Sequence, residues 1–142
     1  MCKIAYFLYC DSIQPILATS PPNTIYQITS PLLALTPFHI PGSYSFAMAF
    51  AISGLDAAIE SSSLRVEFYN PEGGLVQSTG NIKTPIMEDE KSKFFPLDFK
   101  GIFMQMDMRN VTFETEGVYS TKVFMNDDLL GEYPVYVTQQ RV

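Results

Sequence analysis

The chain has 142 residues, 46% hydrophobic and 17% charged, enough to fold around a core without disulfides or metal. Nine basic against fifteen acidic residues give a net charge of −6 with no Lys/Arg cluster, which argues against nucleic acid or an anionic membrane as partner. Eleven Phe and eight Tyr with ten Pro and eight Gly suit strands joined by many turns.

The first predicted element is a strand over 3–9, inside KIAYFLYCDS. An export signal needs about 7–15 apolar residues and then a small-residue cleavage site. Here the apolar run 4–10 holds Tyr6 and Tyr9 and stops at Asp11. A membrane-spanning helix needs about 20 apolar residues. The run is therefore read as a buried strand of a cytoplasmic protein. Cys2 and Cys10 flank that strand; eight extended residues span roughly 26 Å, so the two thiols are expected to stay free, as a reducing compartment allows. The sequon Asn110-Val111-Thr112 is then a chance match.

Residues 12–23 (SIQPILATSPPN) read as a long Pro-rich connection, followed by a strand over 24–30 and an apolar loop over 31–42. The clearest pattern comes next. In 44–53, Tyr44, Phe46, Met48, Phe50 and Ile52 alternate with Ser45, Ala47, Ala49, Ala51 and Ser53, which places all five large residues on one face of a strand. SGLDAAIESS, 53–62, suits a helical turn. Strands over 63–70 and 75–82 enclose Asn70-Pro71-Glu72-Gly73-Gly74, a tight hairpin in which Gly supplies positive φ. PIMEDEKS, 85–92, reads as a mobile charged loop. In the strand over 100–109, Ile102, Met104, Met106 and Met108 form one row and are read as core filling. Glu116-Gly117 opens a strand over 117–126, and Asn126-Asp127-Asp128 turns it into the last strand, 130–138. Pro134 has no N–H for a ladder, so that last strand is expected at an edge or with a bulge.

Eight strands without a long helical pattern predict one all-β domain spanning 1–142, an antiparallel β-sandwich of about seven to eight strands.

Three stretches carry a resemblance. FLYCDS (7–12), LRVEFYNPEGGLV (64–76) and NVTFETEGVYSTKVFMNDDLLGEYPVYV (110–137) resemble the opening strand, central hairpin and closing hairpin of an uncharacterised bacterial family of small single-domain immunoglobulin-like β-sandwich proteins. The closing stretch has the family's Gly-x-Tyr strand start, acidic turn and Leu-Gly-Glu-x-Pro strand. The resemblance covers about half the chain and implies a sandwich fold; the family has no established activity to transfer. The chain departs from the pattern between Ile13 and Tyr44, in its Pro-rich connection.

Chemistry is sparse. His39, the only histidine, lies between Pro37 and Pro41, and neither cysteine has a nucleophile context. A hydrolase using Cys10 with His39 is the remote enzymatic reading, and no catalytic residue is assigned. One His and two Cys do not make an ordinary structural zinc site. Glu88-Asp89-Glu90 and Asp127-Asp128 lack the convergent oxygens of a calcium loop, and Glu72-Gly73-Gly74 lacks the lysine of a phosphate loop. No metal and no cofactor is expected.

The row Ser45, Ala47, Ala49, Ala51, Ser53 resists a solvent-facing reading, since an exposed face should carry long polar side chains. Small residues let another surface approach closely. The chain's own loops 12–23 or 31–42, whose Leu32, Leu33, Leu35 and Phe38 need burial, are the expected cover; a partner protein or a second subunit is the alternative. The functional expectation is a non-catalytic interaction module that binds a protein or self-associates through an edge strand or flat face. A small-ligand or carbohydrate binder, using exposed Tyr and Phe, is the alternative.

Overall fold

The structure, a computed structural model, describes residues 2–17, 24–55, 62–84 and 94–141. The expected helical turn at 53–62 and charged loop at 85–92 fall largely or wholly outside them. The described residues form ten strands: β1 (Lys3–Leu17), β2 (Thr24–Leu32), β3 (Ala34–Leu35), β4 (Gly42–Ser53), β5 (Ser63–Tyr69), β6 (Leu75–Ser78), β7 (Ile82–Lys83), β8 (Gly101–Phe113), β9 (Gly117–Met125) and β10 (Asp128–Val137). One sheet runs β2-β1-β4-β8; the other runs β3-β10-β9-β5-β6, with β7 also on β5. Every pairing is antiparallel except β3 with β10. The all-β antiparallel sandwich expected from the alternation is thus the observed class.

The core forms where the alternating rows of the two sheets meet. Phe46, Met48, Phe50 and Ile52 of β4 point inward, against Leu64, Val66 and Phe68 of β5 and Tyr119, Val123 and Met125 of β9. Burying each such side chain stabilises the fold by about 1.5–3 kcal/mol. Aromatic rings interlock at one end: Phe113 and Tyr119 meet edge-on, centroids 5.0 Å apart, and Phe68 stacks on Tyr119 at 5.6 Å. The methionine row is core, as expected: Met108 is buried, and Met104 and Met106 pack against the same clusters.

Turn chemistry follows the sequence. Asn70 Oδ1 accepts from the amides of Glu72 (3.1 Å) and Gly74 (2.7 Å), while Gly73 takes φ 87°. Asn126 and Asp127, at φ 51° and 68°, make the two-residue turn with two left-handed positions that matches strand twist. Pro134 pairs with Ser120 on one side only, because β3 reaches no further than Tyr136 and Val137. It sits on open edge, where its missing N–H costs nothing.

Several expected boundaries are corrected. The segment 12–23 is not simply a connection: β1 continues to Leu17 and pairs with β2 through Leu17↔Thr24. Pro15 does not stop it, because β4 leaves β1 at Cys10↔Ala47 and residues beyond have only β2 as neighbour. The strand expected at 75–82 breaks into β6 and β7 around Gly80, at φ 64°. The strand expected at 100–109 runs on to Phe113 across a bulge, where Arg109 and Asn110 together face Ser45 and the Asn110 amide donates to Ser45 Oγ at 2.9 Å.

The long β1 has a consequence for the outer face of its sheet. Tyr26 of β2 and Phe103 of β8 lie at opposite edges, three strand spacings apart, or about 14 Å in a flat sheet. Their rings are 5.4 Å apart. The distal half of the β1–β2 hairpin therefore folds back across β4, turning where Asp11 faces Ser30, itself at φ 53°.

Candidate functional site

The folded-back hairpin decides the fate of the small-residue row. Ala47 and Ala49 are 0% exposed, packed in one cluster with Cys10 and Ile13 of β1 and against Leu8, Ile28 and Phe103. At the centre of the row the cover is therefore intramolecular, through Ile13 from the 12–23 stretch. The 31–42 segment does not contribute to it: Leu35 enters the main core through β3, while Leu33 and Phe38 are 96% and 75% exposed. Ser45 is spent on the bulge at Asn110. Ala51 and Ser53 lie beyond the hairpin's reach and form part of the floor of a groove.

That groove, about 600 Å³, runs over the start of β1, the end of β4 and the start of β8. Ala5, Ala51, Ser53 and Gly101 make a floor of small residues; Tyr6, Phe99 and Phe103 line it, with Lys3 and Asp98 at the rim. Phe99 is 74% exposed and Tyr6 50%. A single 3-10 turn, Leu97–Phe99, presents Phe99: the Lys100 amide donates to the Leu97 carbonyl, and the Lys100 carbonyl then accepts from the amides of Gly54 and Leu55. Phe94, Phe95 and Leu97 are exposed beside it. The groove ends at β8, the edge of the sheet; among the described residues no strand pairs with its outer side. Asp107 and Arg109 project from that edge on the outer face, side chains more than half exposed and 3.9 Å apart.

The residues that offered chemistry are not assembled for it. Cys10 is fully buried with its Sγ 3.7 Å from the Ala47 carbonyl, and burial, with Asp11 and Asp107 nearby, pushes its pKa up, away from a reactive thiolate. His39 is exposed in the loop before β4, and among the described residues no hydrogen bond joins it to Cys10. Among those residues no three His, Cys, Asp or Glu side chains gather as metal ligands, and Asp127 is held by Arg65 at 2.6 Å. Glu88-Asp89-Glu90 lies outside them. A second concavity, about 280 Å³, lies beside the 70–74 turn, lined by Glu72, Thr112, Glu114 and Tyr119. No helix among the described residues is long and apolar enough to cross a membrane.

Sequence reasoning reached Ala51 and Ser53 but missed Tyr6, Phe99 and Phe103. One signal was available: FFPLDF, 94–99, puts four large apolar residues in a stretch with no strand alternation, where burial within the sandwich is hard to arrange.

Residues 6–138 match the model of a family of unknown function (DUF6941), and the chain belongs to that family. Among solved structures it is similar to an immunoglobulin-like protein from Pseudomonas aeruginosa, at 15% identity over 97% of each chain with a TM-score of 0.45. Comparison with curated proteins gave no match.

Proposed function

We propose that this member of a family of unknown function is a non-catalytic interaction module that binds a protein by strand addition along β8, with the adjoining groove receiving side chains of the bound segment. The observation that carries the reading is β8 itself. It is a 13-residue strand whose outer edge is unpaired among the described residues. Such an edge presents a row of backbone donors and acceptors that another strand satisfies. The groove supplies what a bare edge lacks, pockets for alternate side chains on a small-residue floor. Burial of the Cys10 thiol supports reading that cysteine as no nucleophile. A bacterial, cytoplasmic setting belongs to the same reading, and two unpaired thiols suit a reducing compartment.

The test uses immobilised chain and extract from native cells, with Ala51→Arg and Phe99→Ser as groove-filled and wall-removed controls. A protein retained by the wild type and lost by both variants, with dichroism unchanged, is the expected result. A strictly monomeric chain that retains nothing would sink the reading.

One feature favours a second reading. The groove's volume falls within the ~300–1,000 Å³ of small-molecule sites, and three aromatic rings line it, as sugar stacking requires. Under that reading, a panel of sugars and metabolites gives a melting-temperature rise that Ala51→Arg abolishes.

A further inference from the structure

We infer that the partner strand on β8 is a second copy of this chain, the two β8 strands running antiparallel about a two-fold axis at Met108. The inference rests on the reading of β8 as a contact edge and names its occupant. In an antiparallel pair, residues directly opposite share a face, and a two-fold axis at residue n places n−1 against n+1 of the partner strand. The charges on β8 then discriminate between registers. An axis at Asp107 sets two carboxylates against each other, and one at Arg109 sets two guanidinium groups together. An axis at Met106 faces Asp107 with the other copy's Gln105 and pairs no charge. Only the axis at Met108, among these four, sets Asp107 of each copy against Arg109 of the other, twice over. Both side chains are available for this: they are 55% and 67% exposed on the outer face, and their contact within one chain is a loose 3.9 Å. The bulge at Arg109–Asn110 falls on both sides of the axis. It adds right-handed twist at this edge of the sheet.

Sedimentation equilibrium on the full chain tests this. The wild type is expected to dimerise. Asp107→Arg sets guanidinium against guanidinium at both crossings, and Arg109→Asp sets carboxylate against carboxylate, so each variant should lose roughly tenfold or more in dimer affinity. Mixed in equal amounts the two variants should form a heterodimer, and the double variant D107R/R109D should regain the wild-type affinity. Both positions are exposed, so an unchanged dichroism spectrum separates an interface effect from unfolding. A wild type that stays monomeric overturns self-pairing while leaving strand addition by another protein, which the capture experiment reads separately. A dimer indifferent to both reversals, or variants that fail to recombine, overturns the register and places the contact away from β8.

Discussion

The phenol oxygen of Tyr9, in β1, lies 2.7 Å from Oγ1 of Thr121, in β9, and joins the two sheets through the middle of the core. The phenol has one proton, and it goes to the Tyr133 carbonyl at 2.6 Å, so the Thr121 hydroxyl donates to Tyr9. Both residues are buried. Tyr9→Phe leaves the Thr121 hydroxyl only the weak acceptor Met48 Sδ, 3.8 Å away, and should cost about 1–3 kcal/mol in urea denaturation. The pH dependence gives a second readout. Burial raises the Tyr9 pKa well above the ordinary 10.0, the hydrogen bond from Thr121 offsetting part of the rise. An unfolded chain releases this proton near pH 10 while the folded one keeps it. Stability is therefore fully present below pH 10 and falls above it, by up to about 1.4 kcal/mol per pH unit. Tyr69 and Tyr133 are also raised, chiefly by burial, so Tyr9→Phe should flatten the alkaline slope without abolishing it.

The covered and open parts of the small-residue row should respond differently to the same substitution. Ala49→Leu forces three extra carbons between β4 and the hairpin that carries Ile13 and Ile28, where overpacking costs roughly 1–3 kcal/mol. Ala51→Leu points into the groove and should change stability by less than about 0.5 kcal/mol, as surface substitutions do. Equal urea midpoints for the two variants would mean that the hairpin does not lie over Ala49.

The sequence made one side of this molecule readable and left the other side hidden. Period-two alternation from Tyr44 to Ser53 and from Val118 to Met125 marks an inward row, because the pleat alone decides which side a residue faces. Asn70-Pro71-Glu72-Gly73-Gly74 and Asn126-Asp127 are equally local, since each turn needs positive φ or an Asx bond within four residues. The distal hairpin is not local. Ile13, Pro15 and Ile16 show no clean alternation, and the strand holds there because Tyr26 reaches Phe103 across two other strands. The groove is worse placed for sequence reading, since Tyr6, Ala51 and Phe99 come from three separate stretches. Likewise, Asp107 and Arg109 read as an ordinary outer face until the strand order puts β8 at an edge.

The C-terminal stretch after β10 is tied down by one carboxylate. Glu116 accepts from the Thr138 hydroxyl, from the Gln139 amide at 3.1 Å and from Arg141 at 3.3 Å. These donors, the Thr138 hydroxyl foremost, lower its pKa below the ordinary 4.5. The depressed value means the attachment is present above pH 4.5 and is lost as pH falls through the lowered pKa. Hydrogen exchange at the Gln139 amide should therefore be slow near neutrality and accelerate in acid beyond the intrinsic trend. In Glu116→Ala it should be fast at every pH. Equal protection in the variant would show that the bonds of Thr138 to Leu35 and of Gln140 to Pro37 suffice.

At Gly101 the backbone of β8 lies close against the backbone of β4. A Cβ built on it would overlap the Ile52 carbonyl, and that obstacle is backbone, which cannot rotate aside as a side chain would. Gly101→Ala must therefore part the two strands at the end of the groove. The strain is that of overpacking, about 1–3 kcal/mol. It should concentrate in the two bonds that Gly54 (2.7 Å) and Leu55 (3.0 Å) donate to the Lys100 carbonyl, one residue away. Those amides are the specific reporters: their exchange should accelerate well beyond that of Ala49, farther along β4. The same displacement shifts the 3-10 turn that presents Phe99, so groove binding should weaken together with those bonds. A variant with an unchanged urea midpoint and unchanged Gly54 exchange would mean that β4 and β8 are not in this contact, and that the groove floor is built differently.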